Sequence, residues 1–490
     1  MKTFIGIDLG TSAVKLLLVD EAGEILASHS ESYPLSYPHS GWSEQNPEDW
    51  LDAVKRGVPQ LLKGQNSDGV CGISFGGQMH GLVALDERDA VIRPCILWND
   101  GRCDAETKYL NEVIGKEALS QRTANIAFAG FTAPKLLWMK ANEPQNFARI
   151  AKIMLPKDYL VYALTGIHAT DYSDAAGTLL LDVKNKRWDE DMIRLCGLTE
   201  KQMPRLYQSY ERVGVLKREY AKLWGLKESV VIAVGAGDNA AAAVGTGTVN
   251  HGDCNISLGT SGTVFISQDA FSVDKQNALH SFCHANGKYH LMGCILSAAS
   301  CNAWWMSILN SNDFDCKQAG LQTWLGKNNV YFLPYLMGER SPHNDVNARG
   351  AFIGIDPTTT RKQMTLAVME GVAFALRDCI EVAKDNGIEI SKTRVCGGGA
   401  KSELWCKILA NVCAMPVERL TIEEGPAYGA AMLAMVADGA YESVERAANS
   451  LVKVKNCVYP DPQICNAYEG KYKAFRALYP ALKDVYKIVR

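Results

Sequence analysis

Residues 8–15, DLGTSAVK, and residues 257–264, SLGTSGTV, state one pattern twice, half a chain apart in a protein of 490 residues. Each follows an apolar run fit for a strand, turns on a glycine (Gly10, Gly259), presents Thr-Ser (Thr11 and Ser12, Thr260 and Ser261) and resumes a second apolar run. The pattern predicts a β-hairpin whose tip offers backbone N–H groups and hydroxyls. Glycine tolerates the positive φ such a tip needs, and clustered N–H dipoles with hydroxyl donors form a nest for a phosphoryl group. Two nests facing each other would grip one triphosphate. Taken singly, either stretch reads more simply as an ordinary Gly-turn hairpin; the shared context of the pair implies a duplicated domain with its site in the cleft between the copies. The copies differ at one place, where Asp8 is matched by Ser257. A cleft handling a magnesium nucleotide uses a carboxylate near the phosphates for the metal, and a second one would repel the nucleotide.

A chain of this length exceeds one compact core, so two or three domains are expected. Apolar residues make up 47% and charged residues 21%, with a net charge of −3, which gives no general basic surface for nucleic acid or anionic lipid. The stretch before Asp8 lacks the apolar core of a secretory signal, and no run is long enough for a bilayer, so a cytoplasmic protein is expected. The fifteen cysteines are scattered and form no CxxC pair, which favours reduced thiols over disulfides. HSFCH, residues 280–284, sets His280, Cys283 and His284 together, but without a fourth ligand or a second close pair it reads as part-buried side chains beside the cleft rather than a zinc site.

Strand-like runs at Phe4 to Ile7, Val14 to Val19 and Glu24 to Ala27 precede a helical stretch from Pro47 to Leu62 and another strand at Val70 to Phe75. The order restarts from Asn255, with hairpin strands to Ile266, a strand at Val330 to Pro334 and helices at Arg361 to Asp385 and Leu404 to Cys413. This is an α/β pattern made twice. Glycines and an Asn-His-Gly segment between Gly245 and Gly252 mark the junction, giving an N-terminal domain over 1–246, a C-terminal domain over 247–440 and a helical tail over 441–490 packed on the latter.

VVIAVGAGDNAAAAVG, residues 230–245, runs a strand into Gly235, Gly237, Asp238 and Asn239 and then an alanine-rich helix. Gly235, Gly237 and Ala240 fit a dinucleotide fingerprint, with Asp253 near the distance of a ribose-binding acid. Asp238 argues against it, because it would set its charge where a pyrophosphate must dock. The same carboxylate could take the proton of a substrate hydroxyl as that oxygen attacks a γ-phosphate, and it could serve as a helix N-cap as well. VCGGGAKSELW, residues 395–405, opens a helix after a strand; it lacks the glycine positions of a Walker loop, and its bare backbone suits an adenine or ribose, or simply a tight turn. SFGGQMHGLVALD, residues 74–86, delivers Gln78, Met79 and His80 into a loop with the hydrogen-bonding capacity a polyhydroxy substrate needs. LWNDGR brings Trp98, Asn99, Asp100 and Arg102 together, as a sugar platform or a surface turn would.

Over nearly all but the last fifty residues these segments resemble the FGGY carbohydrate kinases, within the actin-like, sugar-kinase and heat-shock ATPase superfamily. GFTAPKLLW (130–138) is similar to the family's amino-domain signature and GAFIGIDPTTTRKQMTLAVME (350–370) to its carboxyl-domain one. GQMHG, LPKDYL, SDAAGT, GDNAAAAVG, HSFCHA, LSAASC and LPYLMGERSPHN resemble the members that phosphorylate D-xylulose. The resemblance implies two ribonuclease-H-like domains closing over ATP and a ketose, with transfer to the 5-hydroxyl. It implies Asp238 as general base and Asp8 beside Mg²⁺, through water in the coordination shell. Gln78, Met79, His80, Trp98, Asp238 and Asn239 would meet the sugar. Thr11, Ser12, Lys15, Gly259, Thr260, Gly398, Gly399 and Ser402 would meet the nucleotide. Glycerol kinases carry Arg-Glu where Met79 and His80 stand, which disfavours glycerol; some relatives carry an asparagine near Glu403, absent here, for adenine. Remaining readings are a kinase for ribulose, fuculose or gluconate, and an actin- or chaperone-like ATPase without a sugar. The expected partner is a small sugar, with no nucleic acid or membrane and with a homodimer left open.

Overall fold

The first hairpin forms because TFIGIDL and AVKLLLVD are apolar on both faces, as strands covered on both sides must be. In the computed structural model, which describes residues 1–310, 320–390 and 392–489, they are β1 (Thr3–Leu9) and β2 (Ala13–Asp20), antiparallel with Leu9 opposite Val14. One face (Ile5, Ile7, Val14, Leu16, Leu18) packs on helix α1 (Pro47–Leu61), and the other (Phe4, Leu17, Val19) packs on helices from elsewhere in the chain. The sheet is completed by β3 (Ile25–Ser32), β4 (Val70–Gly77), β5 (Arg212–Val215), β6 (Val231–Ala233) and the short β7 (Ala236–Gly237). Its order is β5-β6-β4-β1-β2-β3, with β7 also on β4 and with β4 parallel to β1, β6 and β7.

The C-terminal sheet repeats this plan. Its strands are β8 (Cys254–Leu258), β9 (Gly262–Gln268), β10 (His280–Cys283), β11 (Tyr289–Ile295), β12 (Thr393–Cys396), β13 (Val417–Leu420) and β14 (Val454–Val458), in the order β10-β11-β9-β8-β12-β13-β14. The series β3-β2-β1-β4-β6 and β11-β9-β8-β12-β13 match strand for strand in sequence and in sense: two antiparallel pairs, then two parallel ones. This is the duplicated two-domain fold of the ribonuclease-H-like sugar kinases.

The last fifty residues depart from the helical expectation, because β14 lies within them and extends the C-terminal sheet antiparallel to β13. Its sequence, VKNCV, borders an edge and has no apolar alternation to read. The terminal helix Pro462–Tyr486 does pack on the C-terminal half, where Tyr468 donates to Glu370 (2.8 Å) and Tyr472 to Asp378 (2.6 Å). Chain order and packing part company elsewhere too. Helices α2 (Asp238–Gly245) and α3 (Gly425–Ala437) close the two halves and cross each other at the centre, and α3 lies against Phe4, Leu17 and Val19 of the first sheet. Glycine permits the approach: a Cβ on Gly429 would stand 1.8 Å from the Ala241 carbonyl oxygen, and one on Gly245 2.0 Å from that of Gly425. Fourteen cysteines lie among the described residues and all are free thiols; Cys316 lies outside them. Among the described residues no helix is long and apolar enough to cross a membrane.

Candidate active site

β1 ends at Leu9 and β7 at Gly237, on either side of β4 and opposite the same Gly77, so Asp8 and Asp238 are delivered to the same end of the first sheet. Asp238 is the first residue of α2 rather than its N-cap, which is Gly237. Its Oδ1 accepts from the Asn239 backbone N–H (2.7 Å) and Nδ2 (2.9 Å), while no described residue donates to Oδ2. Burial pushes the carboxyl up to about 6 against the pull of those two donors. Asp8 accepts no side-chain hydrogen bond from any described residue; burial first and the Asp238 charge second push it up to about 7, opposed by Lys15. The charge of Asp238 thus raises the proton affinity of Asp8, and one or two carboxylates with water and phosphate oxygens are the donor set Mg²⁺ prefers. Among the described residues no three His, Cys, Asp or Glu side chains gather to hold a metal without such outside ligands.

Lys15 does not stand free for a phosphate. It is paired with Glu424, which immediately precedes α3, so the ion pair ties the first hairpin to the C-terminal half. Around the tip, Trp98 Nε1 donates to the Thr11 hydroxyl (3.0 Å), Gln45 Nε2 to the Thr11 carbonyl (2.6 Å) and Tyr33 to the Gly10 carbonyl. Gln78 is committed in the same way: its Oε1 accepts from Thr11 (3.3 Å) and its Nε2 donates to Gln45 (3.0 Å). It braces the tip with both ends of its amide. Of the LWNDGR group, Asp100 and Arg102 form a buried two-point ion pair (2.8 and 2.7 Å) that shapes the turn, which leaves Trp98 and Asn99 outward.

The Met79-His80 loop is tightly held. His80 adopts φ 71°, its Nδ1 meets the Gly177 carbonyl (2.7 Å), its ring stacks on Phe131 at 4.6 Å, and burial pushes its pKa down to about 3, so the imidazole is neutral. Its carbonyl accepts from Thr132 (3.1 Å) and from the buried ammonium of Lys135 (2.8 Å). Arg340, from the C-terminal half, lies over Phe128 at 5.4 Å, makes no ion pair with any described residue, and its charge acts on His80 and His280. HSFCH contributes packing: His280 meets Asn125 (3.2 Å), Cys283 the Val183 carbonyl (3.7 Å) and His284 the Thr248 carbonyl (2.8 Å).

The second tip is employed otherwise. The carbonyls of Gly259 and Thr260 accept from Ala299 and Ala298 (2.9 Å each), seating the start of helix Ala299–Ile308. The turn after β12 leans on the same tip, where a Cβ on Gly397 would lie 2.9 Å from Leu258 and one on Gly399 2.8 Å from its side chain; Gly398 faces open space. Gly259, Thr260, Gly398 and Gly399 are thus brought together. Ser402 is the N-cap of helix Glu403–Cys413, accepting from Trp405 N (3.1 Å). Asp253, the ribose acid of the dinucleotide reading, accepts from Asn250 N and Nδ2 (2.9 Å each) and closes a turn instead.

Sequence reading quotes the segments of one further group but gives it no role. Lys157 is wholly buried, with Asp158 Oδ1 at 2.6 Å, Asp171 Oδ1 at 2.9 Å and Asp174 Oδ2 at 3.5 Å. Burial works against the ammonium, yet the three carboxylates hold its pKa above the usual lysine range. The adjacent Lys-Asp pair and TDYSD are visible as residues, but nothing local to them signals burial.

Matched against family models, residues 3–245 fit the N-terminal domain and residues 254–437 the C-terminal domain of the FGGY family of carbohydrate kinases. The xylulose kinase of Escherichia coli (strain K12) is 42% identical over 482 residues, covering 98% of this chain and 99% of that protein. Two solved structures from Lactobacillus acidophilus, a ligand-bound xylulose kinase and a gluconate kinase, superpose with TM-scores of 0.96 and 0.95, each at 27% identity and covering 100% of both chains.

Proposed function

The chain belongs to the FGGY family of carbohydrate kinases, and from that membership we propose that it phosphorylates D-xylulose on its 5-hydroxyl at the expense of ATP. The observation that carries the mechanism is Asp238, whose Oδ2 accepts from no described residue at the start of α2 and whose charge acts on the Asp8 carboxylate, itself without a described hydrogen-bond donor. A carboxylate pushed up to about 6 is still ionised at neutral pH and is a stronger base than a solvated one. It takes the hydroxyl proton as the sugar oxygen forms its bond to the γ-phosphorus in line with the departing ADP oxygen, so no phosphoenzyme arises.

ATP supplies the phosphoryl group, and Mg²⁺ when bound offsets the charge on it. Asp8 would hold the magnesium through water, and the N–H groups of Thr11, Ser12 and the Gly259-Thr260 tip would face the phosphates. Gly398 and Gly399 would lie under the adenosine. Lys15, through Glu424, would keep the hairpin seated, and Met79, His80, Trp98 and Asn239 would line the ketose with the halves 1–246 and 247–440 closing over it. Lines of support are the names of the curated relatives and the Met-His pair on a rigid loop. The gluconate kinase's equal superposition is the reason to test the sugar directly, since one fold carries several acceptors.

A coupled ADP assay with D-xylulose, D-ribulose, D-gluconate and glycerol decides it. D-xylulose should give the largest kcat/KM and a 5-phosphate product. A better D-gluconate or D-ribulose constant overturns the substrate, and ADP release indifferent to every sugar overturns the kinase reading.

A further inference from the structure

We infer that the buried set Lys157, Asp171 and Ser173 positions the base, holding the Ala236–Gly237 peptide that leads into Asp238; the inference rests on the reading of Asp238 given above. Asp171 Oδ2 accepts from the Ser173 hydroxyl (2.5 Å), the Ser173 backbone N–H (2.8 Å) and the Ser209 hydroxyl (2.7 Å), while its Oδ1 lies 2.9 Å from Lys157 Nζ. The Ser173 oxygen in turn accepts from the Gly237 N–H at 3.1 Å. The direction of this chain of bonds has one solution, because an ionised carboxylate only accepts and an amide N–H only donates. The serine must give its proton to Asp171 and turn its lone pair to Gly237.

Gly237 is the N-cap of α2 and Asp238 the residue after it, so this bond fixes the Ala236–Gly237 peptide immediately before the residue that carries the carboxylate. The same ladder rung is gripped from the other side. Gly237 pairs with Gly77 on β4, and a Cβ on Gly77 would meet Lys157 Cβ at 2.6 Å, so the root of the lysine side chain lies against the rung. A Cβ on Gly237 would meet Met79 Cγ at 2.9 Å, which puts the sugar loop on the same support. None of the side chains of Lys157, Asp158, Asp171 or Asp174 is exposed. A buried charge cluster of that kind favours one geometry, because moving one member leaves another charge buried without its counterpart. These are positioning residues: they touch neither substrate nor reacting atom, and they set where the base stands to within the tolerance on which proton transfer depends.

The test is a double-substitution cycle on the full chain with D-xylulose and MgATP. Ser173→Ala should lower kcat ten- to hundredfold with the KM for ATP within twofold of the parent, as roughly expected for a base displaced by a fraction of an ångström. In an Asp238→Asn background the same change should cost nothing further, because the group it positions is gone. An equal loss in both backgrounds overturns the inference, since the effect would then bypass Asp238. Parental kcat in Ser173→Ala overturns it also. If Ser173→Ala does not fold, Ser173→Cys, of like shape and weak hydrogen bonding, answers the same question with an intermediate loss expected and none overturning. Asp238→Asn alone separates the two readings: parental turnover there sinks the base, whereas a large loss there with no effect at Ser173 sinks only the positioning.

Discussion

The two hairpins share a Gly-Thr-Ser tip but not a register, since Leu9 stands opposite Val14 in the first and Leu258 opposite Gly262, one residue tighter, in the second, and the molecule uses them in opposite ways. The first is held by side chains at its own tip, from Gln45, Gln78, Trp98 and Tyr33, and carries at Asp8 a carboxylate to which no described residue donates a hydrogen bond. The second spends its tip carbonyls on the start of a helix and carries the neutral Ser257 where the first has Asp8. Duplication supplied one scaffold twice, and charge was kept on one side of it. A triphosphate gripped as proposed would account for that asymmetry, because a second acid facing the phosphates would repel them.

The largest expected effect comes from the charged side: Asp238→Asn should cut kcat by about 10²–10⁴-fold while calorimetry still detects nucleotide binding, and turnover near the parental value would break the comparison. Next, Asp8→Asn should raise the Mg²⁺ concentration at half-maximal rate, by roughly the tenfold or more that a lost carboxylate contact of 1.4 kcal/mol implies; an unchanged magnesium titration would leave Asp8 with no metal role. Gly429→Ala puts a methyl into the Ala241 carbonyl and should cost about 1–3 kcal/mol or more, read as a lowered thermal midpoint, because the matched helices cannot separate without moving both sheets. Giving the neutral hairpin the acid it lacks, with Ser257→Asp, should weaken ATP binding roughly tenfold, the size of a like-charge contact near a surface; equal affinity would mean that the second tip does not meet phosphate. The smallest effect is on pH. Asp238 acts as its ionised form, so kcat/KM for the sugar should rise with pH through an inflection near the value of about 6 and fall away below it, and an acid limb still centred there in Asp238→Asn would assign the titration to another group.

The hairpins, the first long helix and the helix Arg361–Asp385 are legible in the sequence because each is a periodic run with a terminating signal: Asn46 and Pro47 start one, and Thr360 caps the other through a Thr-Gln capping box. Asp8 and Asp238 are legible because an acid placed where an apolar strand ends does little for the fold itself and much for a charged ligand. The edge strand Val454–Val458 is not, since half-exposed polar residues carry no period. Residue type alone makes Gln78 and Ser402 look like ligand contacts, but hydrogen-bonding groups beside a site brace it as readily as they line it, and only the partners at 3.0 and 3.1 Å distinguish the two uses. Lys157 is illegible for a plainer reason: a lysine and three aspartates spread over eighteen residues look like solvated surface until the chain folds them inward.

The crossing of α2 and α3 also governs how the molecule can move. Where two helices meet backbone to backbone, as at Gly429 on Ala241 and Gly245 on Gly425, no side chain interlocks at the points of closest approach, and such a joint would swivel like a bearing more readily than it would part like a latch. Each sheet is then a long lever mounted near its fulcrum, and a few degrees of swivel at Gly429 become ångströms of travel at the outer rim.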